Sequence, residues 1–324
     1  MGPRKLDGAT LADFGDVLQP AEAQEPILAR SVRSSLIEWL TEIWAVKELA
    51  EVGLQPRRRA LFHGAPGTGK TTLAHHLSAR LGLPMVCVRP DRIVESYIGG
   101  TGRALGALFD LARPKDEGGE GPVVLFFDEF EALAQKRQSD ARDGQREMNS
   151  VVNVLLQRFD AYKGFVIAAT NHGDRLDAAI WRRFDLQIKL DPPGQEERVR
   201  ILSRYLAPFG LPVRQLDELA TACATASPSL LRQFCEGLKR NLVIGPQVKW
   251  PMDREAVIGR VLASIEPHPD LGKPRLWSLG AQDRAVAMLG WPMSLAVDLP
   301  ADIVPDAAPH APESTVVPLR GART

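Results

Sequence analysis

Residues 64–71 read Gly-Ala-Pro-Gly-Thr-Gly-Lys-Thr. The spacing G-x-x-x-x-G-K-T is met by Gly64, Gly69, Lys70 and Thr71, with Ala65, Pro66, Gly67 and Thr68 between them and Thr72 next. Such a stretch can bind an anion. Its glycines allow backbone conformations that turn successive N–H groups toward a phosphate. Lys70 would reach the β- and γ-phosphates of a nucleoside triphosphate, and the Thr71 hydroxyl would hold Mg²⁺. Further on, Val123-Val124-Leu125-Phe126-Phe127 is an apolar run that ends in Asp128-Glu129. Asp128 suits Mg²⁺, directly or through water. Glu129 is placed to polarise an attacking water as general base. An acidic start to a helix over 129–137 would also explain the pair, but the phosphate-binding stretch favours hydrolysis of a nucleoside triphosphate.

The flanking patterns supply elements that could hold these groups. Arg59–His63 reads as a short strand before the loop, and Thr72–Leu81 as a helix with Leu73, Leu77 and Leu81 on one face. That helix would point its N-terminus at the phosphates. Val123–Phe127 fits a strand buried on both faces of a parallel sheet, with Asp128 at its C-terminal edge, where ligands bind. Met85–Val88 and Phe165–Ala169 are further strands. Ser31–Ala50, Arg103–Ala112 and Glu147–Asp160 carry helical periodicity. This alternation predicts an α/β fold, a parallel-sheet nucleotide-binding domain followed by a small helical lid. The expected divisions are an N-terminal segment 1–29, the α/β domain 30–191, a hinge near Asp191-Pro192-Pro193-Gly194, a lid over 195–266 and a proline-rich tail over 267–324, partly disordered.

Taken in order, these motifs resemble the P-loop NTPases of the AAA+ ATPase family, and more narrowly its protein-remodelling AAA branch. The resemblance runs from about Asp13 to Lys239. It implies ATP and Mg²⁺ as ligands. Asn171, after the strand 165–169, resembles the residue that orients the water and reads the γ-phosphate. Leu176 to Asp185 looks like the family's second region of homology, with Arg182 and Arg183 as candidates for an arginine finger reaching a neighbouring subunit. Many relatives place Pro-Gly between these arginines, and this chain does not. The resemblance therefore implies a homo-oligomer, with a hexamer expected.

Ser96-Tyr97-Ile98-Gly99-Gly100 resembles the aromatic-hydrophobic-glycine pore loop of the unfoldases in this family. A ring there could grip a polypeptide client without reading its sequence; a core tyrosine in a loop is the plainer alternative. Gln135–Arg146 reads either as a second, charged pore loop or as solvated surface. Asp13–Leu18 resembles the segment that lies near the adenine. Ser227-Pro228 reads as a cap and first-turn proline opening a lid helix to Lys239. Relatives often start this helix with Gly-Ala-Asp; here it reads Pro228-Ser229-Leu230, so no lid-to-nucleotide contact is carried over. Arg232 could touch the phosphates or lie exposed.

The chain has 324 residues, 44% hydrophobic and 25% charged, with 40 basic and 40 acidic side chains. That balance gives no overall field toward nucleic acid or anionic membrane. Arg57-Arg58-Arg59 would serve the site or subunit contacts. Without a spanning run or apolar leader, the expected location is cytoplasmic. Cys87, Cys223 and Cys235 lack metal-ligand spacing and fit reduced core residues. The leading expectation is an oligomeric ATPase that remodels or unfolds a protein client through a central pore, with a separately encoded partner such as a protease. An ATP-dependent switch or loader acting on a dedicated partner is the alternative. A small-molecule kinase would share the phosphate loop but does not account for Glu129, Asn171 and the arginine pair.

Overall fold

The computed structural model describes residues 8–93, 100–134 and 143–293. In chain order its main elements begin with β1 (Gly15–Leu18), α1 (Arg30–Trp44), α2 (Val46–Glu51), β2 (Arg59–His63), α3 (Lys70–Arg80), β3 (Met85–Val88), α4 (Pro90–Ile93) and α5 (Gly100–Leu111). β4 (Val124–Phe127), α6 (Asp143–Ala161), β5 (Phe165–Thr170), α7 (Ala178–Trp181) and β6 (Leu186–Lys189) complete the first unit. The helices α8 (Gln195–Leu206), α9 (Val213–Ala222), α10 (Pro228–Ile244), α11 (Arg254–Ala263), α12 (Arg275–Leu279) and α13 (Arg284–Met288) follow.

The six strands form one sheet in the order β1-β3-β4-β5-β2-β6. All adjacent pairs are parallel except β1 with β3. Every residue of β4 is buried, as a strand covered by helices on both faces requires. β4, β5 and β2 are successive neighbours, so their C-terminal ends open on the same edge. His63 lies opposite Thr170 and Phe127 opposite Ala168. The segments beginning at Gly64, Asp128 and Asn171 therefore leave the sheet side by side.

The N-terminal segment contributes more than a loop. β1 is an antiparallel edge strand, and Gly15 is required there because a Cβ would overlap the Cys87 carbonyl. The helix expected over Ser31–Ala50 is two helices, broken at Ala45. Trp39 is fully buried and its indole Nε1–H donates to the Arg57 carbonyl at 2.8 Å, whereas Trp44 is exposed. The three successive arginines brace the fold instead of the nucleotide site. Arg57 pairs with Glu42 at 2.6 Å, Arg58 donates to the Lys163 carbonyl, and Arg59 pairs with Asp185 at 3.2 Å.

A buried aromatic cluster lies beneath the carboxylates. Phe130 packs 5.7 Å from Phe127, 6.1 Å from Phe159 and 5.6 Å from Phe184, ring centre to ring centre. Phe130 follows Glu129 and Phe184 follows Arg183, so one cluster positions both segments. Phe130→Ala is expected to cost about 3–5 kcal/mol, the range for emptying a large buried aromatic site. Urea unfolding followed by circular dichroism checks this, and a loss below about 1 kcal/mol would show that the cluster does not hold the segment.

The lid has its own core, built on Leu202, Leu219, Leu231, Phe234, Val257 and Val261. Arg198 is buried in it, donating to the carbonyls of Pro193, Ala220 and Ala224, which fixes α8 to the hinge and to the end of α9. Burial lowers its pKa, with Cys223 and Glu197 acting against that shift. The lid continues past residue 266. Leu276, Trp277, Val286, Leu289 and Met293 belong to the same core, and fully buried Asp283 holds Arg275 at 2.9 Å. Short helices separated by prolines and glycines hid this packing from periodicity. Cys223 and Cys235 lie in that core as free thiols, and burial pushes Cys223 up to about 12. Among the described residues, no helix is long and apolar enough to cross a membrane.

Candidate active site

The phosphate loop links β2 to α3. Gly64, Gly67 and Gly69 all have positive φ, at 147°, 73° and 94°. A side chain at Gly64 would also overlap the Leu190 carbonyl. The buried Lys70 ammonium donates to the carbonyls of Gly64 and Ala65, each at 2.9 Å, and to Asn171 Oδ1 at 2.7 Å. Burial pushes its pKa down, and Asp128 and Glu131 act against that shift. The loop's lysine and the polar residue after β5 are thus in direct contact.

Thr71 Oγ1 donates to Asp128 Oδ2 at 2.8 Å. A hydroxyl and a carboxylate at that spacing are hard oxygen donors, which suits Mg²⁺. The other Asp128 oxygen accepts the Glu129 N–H at 2.9 Å. Glu129 is exposed and left-handed, with φ 47° and ψ 45°. A non-glycine residue there carries about 1–2 kcal/mol of backbone strain. The turn ends β4 abruptly and leads into a short 3₁₀ turn, Phe130–Ala132, so the helix considered over 129–137 does not begin at Glu129.

The segment after Glu129 is tied to the arginines. The Ala134 carbonyl accepts the Asp177 N–H at 3.0 Å, and the Asp177 carboxylate caps α7 through Ala179 at 2.8 Å. α7 ends at Trp181, next to Arg182 and Arg183. Both arginines are exposed. Arg183 pairs with Asp160 at 3.1 Å, while Arg182 makes no ion pair among the described residues. Tyr97, Ile98 and Gly99 lie outside the described residues, as does most of Gln135–Arg146. Arg232 is turned to its own helix and to α8, pairing with Glu236 at 2.7 Å and lying over the Tyr205 ring.

Three features escaped sequence reasoning. The His63 ring meets Trp181 edge-on at 5.3 Å, linking the strand before the loop to the arginine segment. Burial, together with Lys189 and Lys70, lowers the His63 pKa against the pull of Asp191. Glu131 Oε2 is a buried oxygen without a hydrogen-bond partner among the described residues. Ser229, at the start of α10, donates its N–H to the Gly67 carbonyl at 3.2 Å. The departure from Gly-Ala-Asp at 228–230 was the available signal for the last.

The model of the AAA family, ATPases associated with various cellular activities, matches residues 60–192, which contain the phosphate loop, Asp128, Glu129, Asn171 and both arginines. Residues 60–192 belong to the AAA ATPase family. The chain is similar to an uncharacterised AAA family ATPase of Sinorhizobium fredii, 41% identical over 186 residues, 56% of this chain and 54% of that one. A proteasome-activating nucleotidase of Methanopyrus kandleri is 32% identical over 245 residues, 68% of this chain and 55% of that protein. The ATP-dependent zinc metalloprotease FtsH 1 of Symbiobacterium thermophilum is 34% identical over 178 residues, 53% of this chain and 29% of that protein. The chain spans about half the length of the first two of these AAA relatives and less of the third.

Proposed function

We propose that the chain is an ATP hydrolase that works as a homo-oligomer, with a hexamer expected, and uses ATP to remodel or unfold a protein client. One observation carries the ATPase reading. The contacts Lys70–Asn171 and Thr71–Asp128 bring the phosphate loop, a carboxylate and a polar reader to one sheet edge, with Glu129 beside them. In this reading the loop's N–H groups and Lys70 hold the β- and γ-phosphates. Thr71 and Asp128 are the residues that would hold Mg²⁺. When bound, the ion supplies positive charge against the phosphate oxygens. Glu129 takes a proton from water as its oxygen attacks the γ-phosphorus, and ADP leaves. Asn171 orients that water.

Arg182 is the arginine assigned to the neighbouring subunit's site, because Arg183 is already engaged by Asp160. The client role draws on relatives whose names state proteasome activation or ATP-dependent proteolysis. A separately encoded partner, such as a protease, fits that reading. Tyr97 separates threading from a switch or loader. Tyr97→Ala is expected to keep ATP turnover within about twofold, because Tyr97 is assigned no role toward the phosphates or the water, while stopping unfolding of an unstructured-tagged fluorescent protein. Unfolding at the wild-type rate would favour the switch reading.

A further inference from the structure

The first turn of α10 rests on the phosphate loop. The Gly67 carbonyl accepts the Ser229 N–H at 3.2 Å. Gly67 has φ 73°, and a Cβ there would overlap Ser229 Oγ and lie 3.1 Å from Ser227 Oγ. The two serine hydroxyls are 3.0 Å apart. Ser227 is buried and its oxygen also accepts the Leu230 N–H at 3.2 Å, so it is committed to capping the helix. Ser229 is exposed, and its hydroxyl is held between that cap and the loop.

This contact joins two units that are also linked by the 191–194 segment, by Arg204 donating to the Glu25 carbonyl, by the Arg30–Glu196 pair and by Ile27 against the lid core; of these links it is the one that reaches the phosphate loop. α10 packs along α8, the helix that leaves the hinge, and carries Leu231, Phe234 and Leu238 into the lid core. A shift of Gly67 as the loop closes on phosphates would press on the start of α10 and move the lid as a body. Conversely, a shift of the start of α10 would be passed to Gly67 and the loop backbone.

We propose that Ser229 is a positioning residue of the ATPase, whose hydroxyl seats the lid on Gly67 and thereby sets how fast ADP leaves. It acts through the loop backbone. The inference rests on the ATPase reading above and adds the route by which nucleotide release is controlled. The Gly67–Ser229 hydrogen bond uses the Ser229 backbone and survives substitution; the hydroxyl does not. Its loss should therefore weaken the seating without abolishing it.

The test is stopped-flow release of mant-ADP from the full chain, with steady-state ATP turnover and thermal midpoint measured on the same samples. Ser229→Ala is expected to release mant-ADP about three- to tenfold faster, the span that one net hydrogen bond supplies. KM for ATP should rise by a similar factor, with little change in thermal midpoint. Ser229→Thr keeps the hydroxyl and Ser229→Val has the same size without it. Release from the Thr variant should be near wild type, and from the Val variant near Ala. Wild-type release rates in both Ala and Val, or equal acceleration in Thr and Val, would overturn the proposal while leaving the ATPase reading intact. A wild-type chain that binds no mant-ADP would overturn both.

Discussion

Glu129→Gln is expected to lower ATP turnover by about 10²–10⁴-fold, the range for removing a positioned general base. Nucleotide binding should be nearly unchanged. The substitution keeps the side chain's length and its hydrogen-bonding capacity, and removes only the basic oxygen. In the proposed function binding rests on other groups, namely the loop glycines, buried Lys70 and the Thr71–Asp128 pair. Glu129 touches this set through its backbone N–H, which Gln retains. The left-handed turn at residue 129 is also kept, since Gln and Glu carry the same Cβ. Single-turnover hydrolysis and mant-ATP titration separate the two effects. Loss of binding in step with turnover would mean that Glu129 holds the nucleotide and does not activate water.

Arg182→Ala is expected to reduce turnover by about 10³–10⁵-fold, the range for an arginine that offsets charge on the transferred phosphoryl group. The two arginines differ in their surroundings, and the proposal for Arg182 rests on that difference. Arg183 is paired with Asp160, and both side chains are partly exposed, so Arg183→Ala should cost at most about 1 kcal/mol of stability. Arg182 is exposed at the end of α7, where its helix cap and the aromatic cluster fix its base. The deciding experiment mixes two inactive variants. Lys70→Ala cannot hold ATP but keeps Arg182, whereas Arg182→Ala keeps a complete phosphate loop. If Arg182 acts on a neighbour, the mixture regains part of the lost activity. Two proteins that remain inactive together would place Arg182 within its own site.

What could be read in advance was local chemistry. The phosphate loop is contiguous, and β4 with its carboxylates is one apolar run with a polar end. Asn171 and the arginines followed from motif order. What escaped depended on packing between distant segments. β1 is short and half polar, and it becomes a strand only by pairing with β3. The break at Ala45 leaves Trp39 buried and Trp44 outside, although both fit the same apolar stripe. The lid's last helices have five residues each, too few to show a period. The Ser229–Gly67 contact spans the hinge, and serine at a helix start is ordinarily only a cap.

The central claim is a hydrolytic site completed by a second copy of the chain. Its most direct test is ATP turnover per subunit as a function of protein concentration, with mass photometry of the Glu129→Gln protein in Mg-ATP. The account predicts a rate per subunit that rises with concentration and closed oligomers that form only with nucleotide. A constant rate from a stable monomer would contradict it.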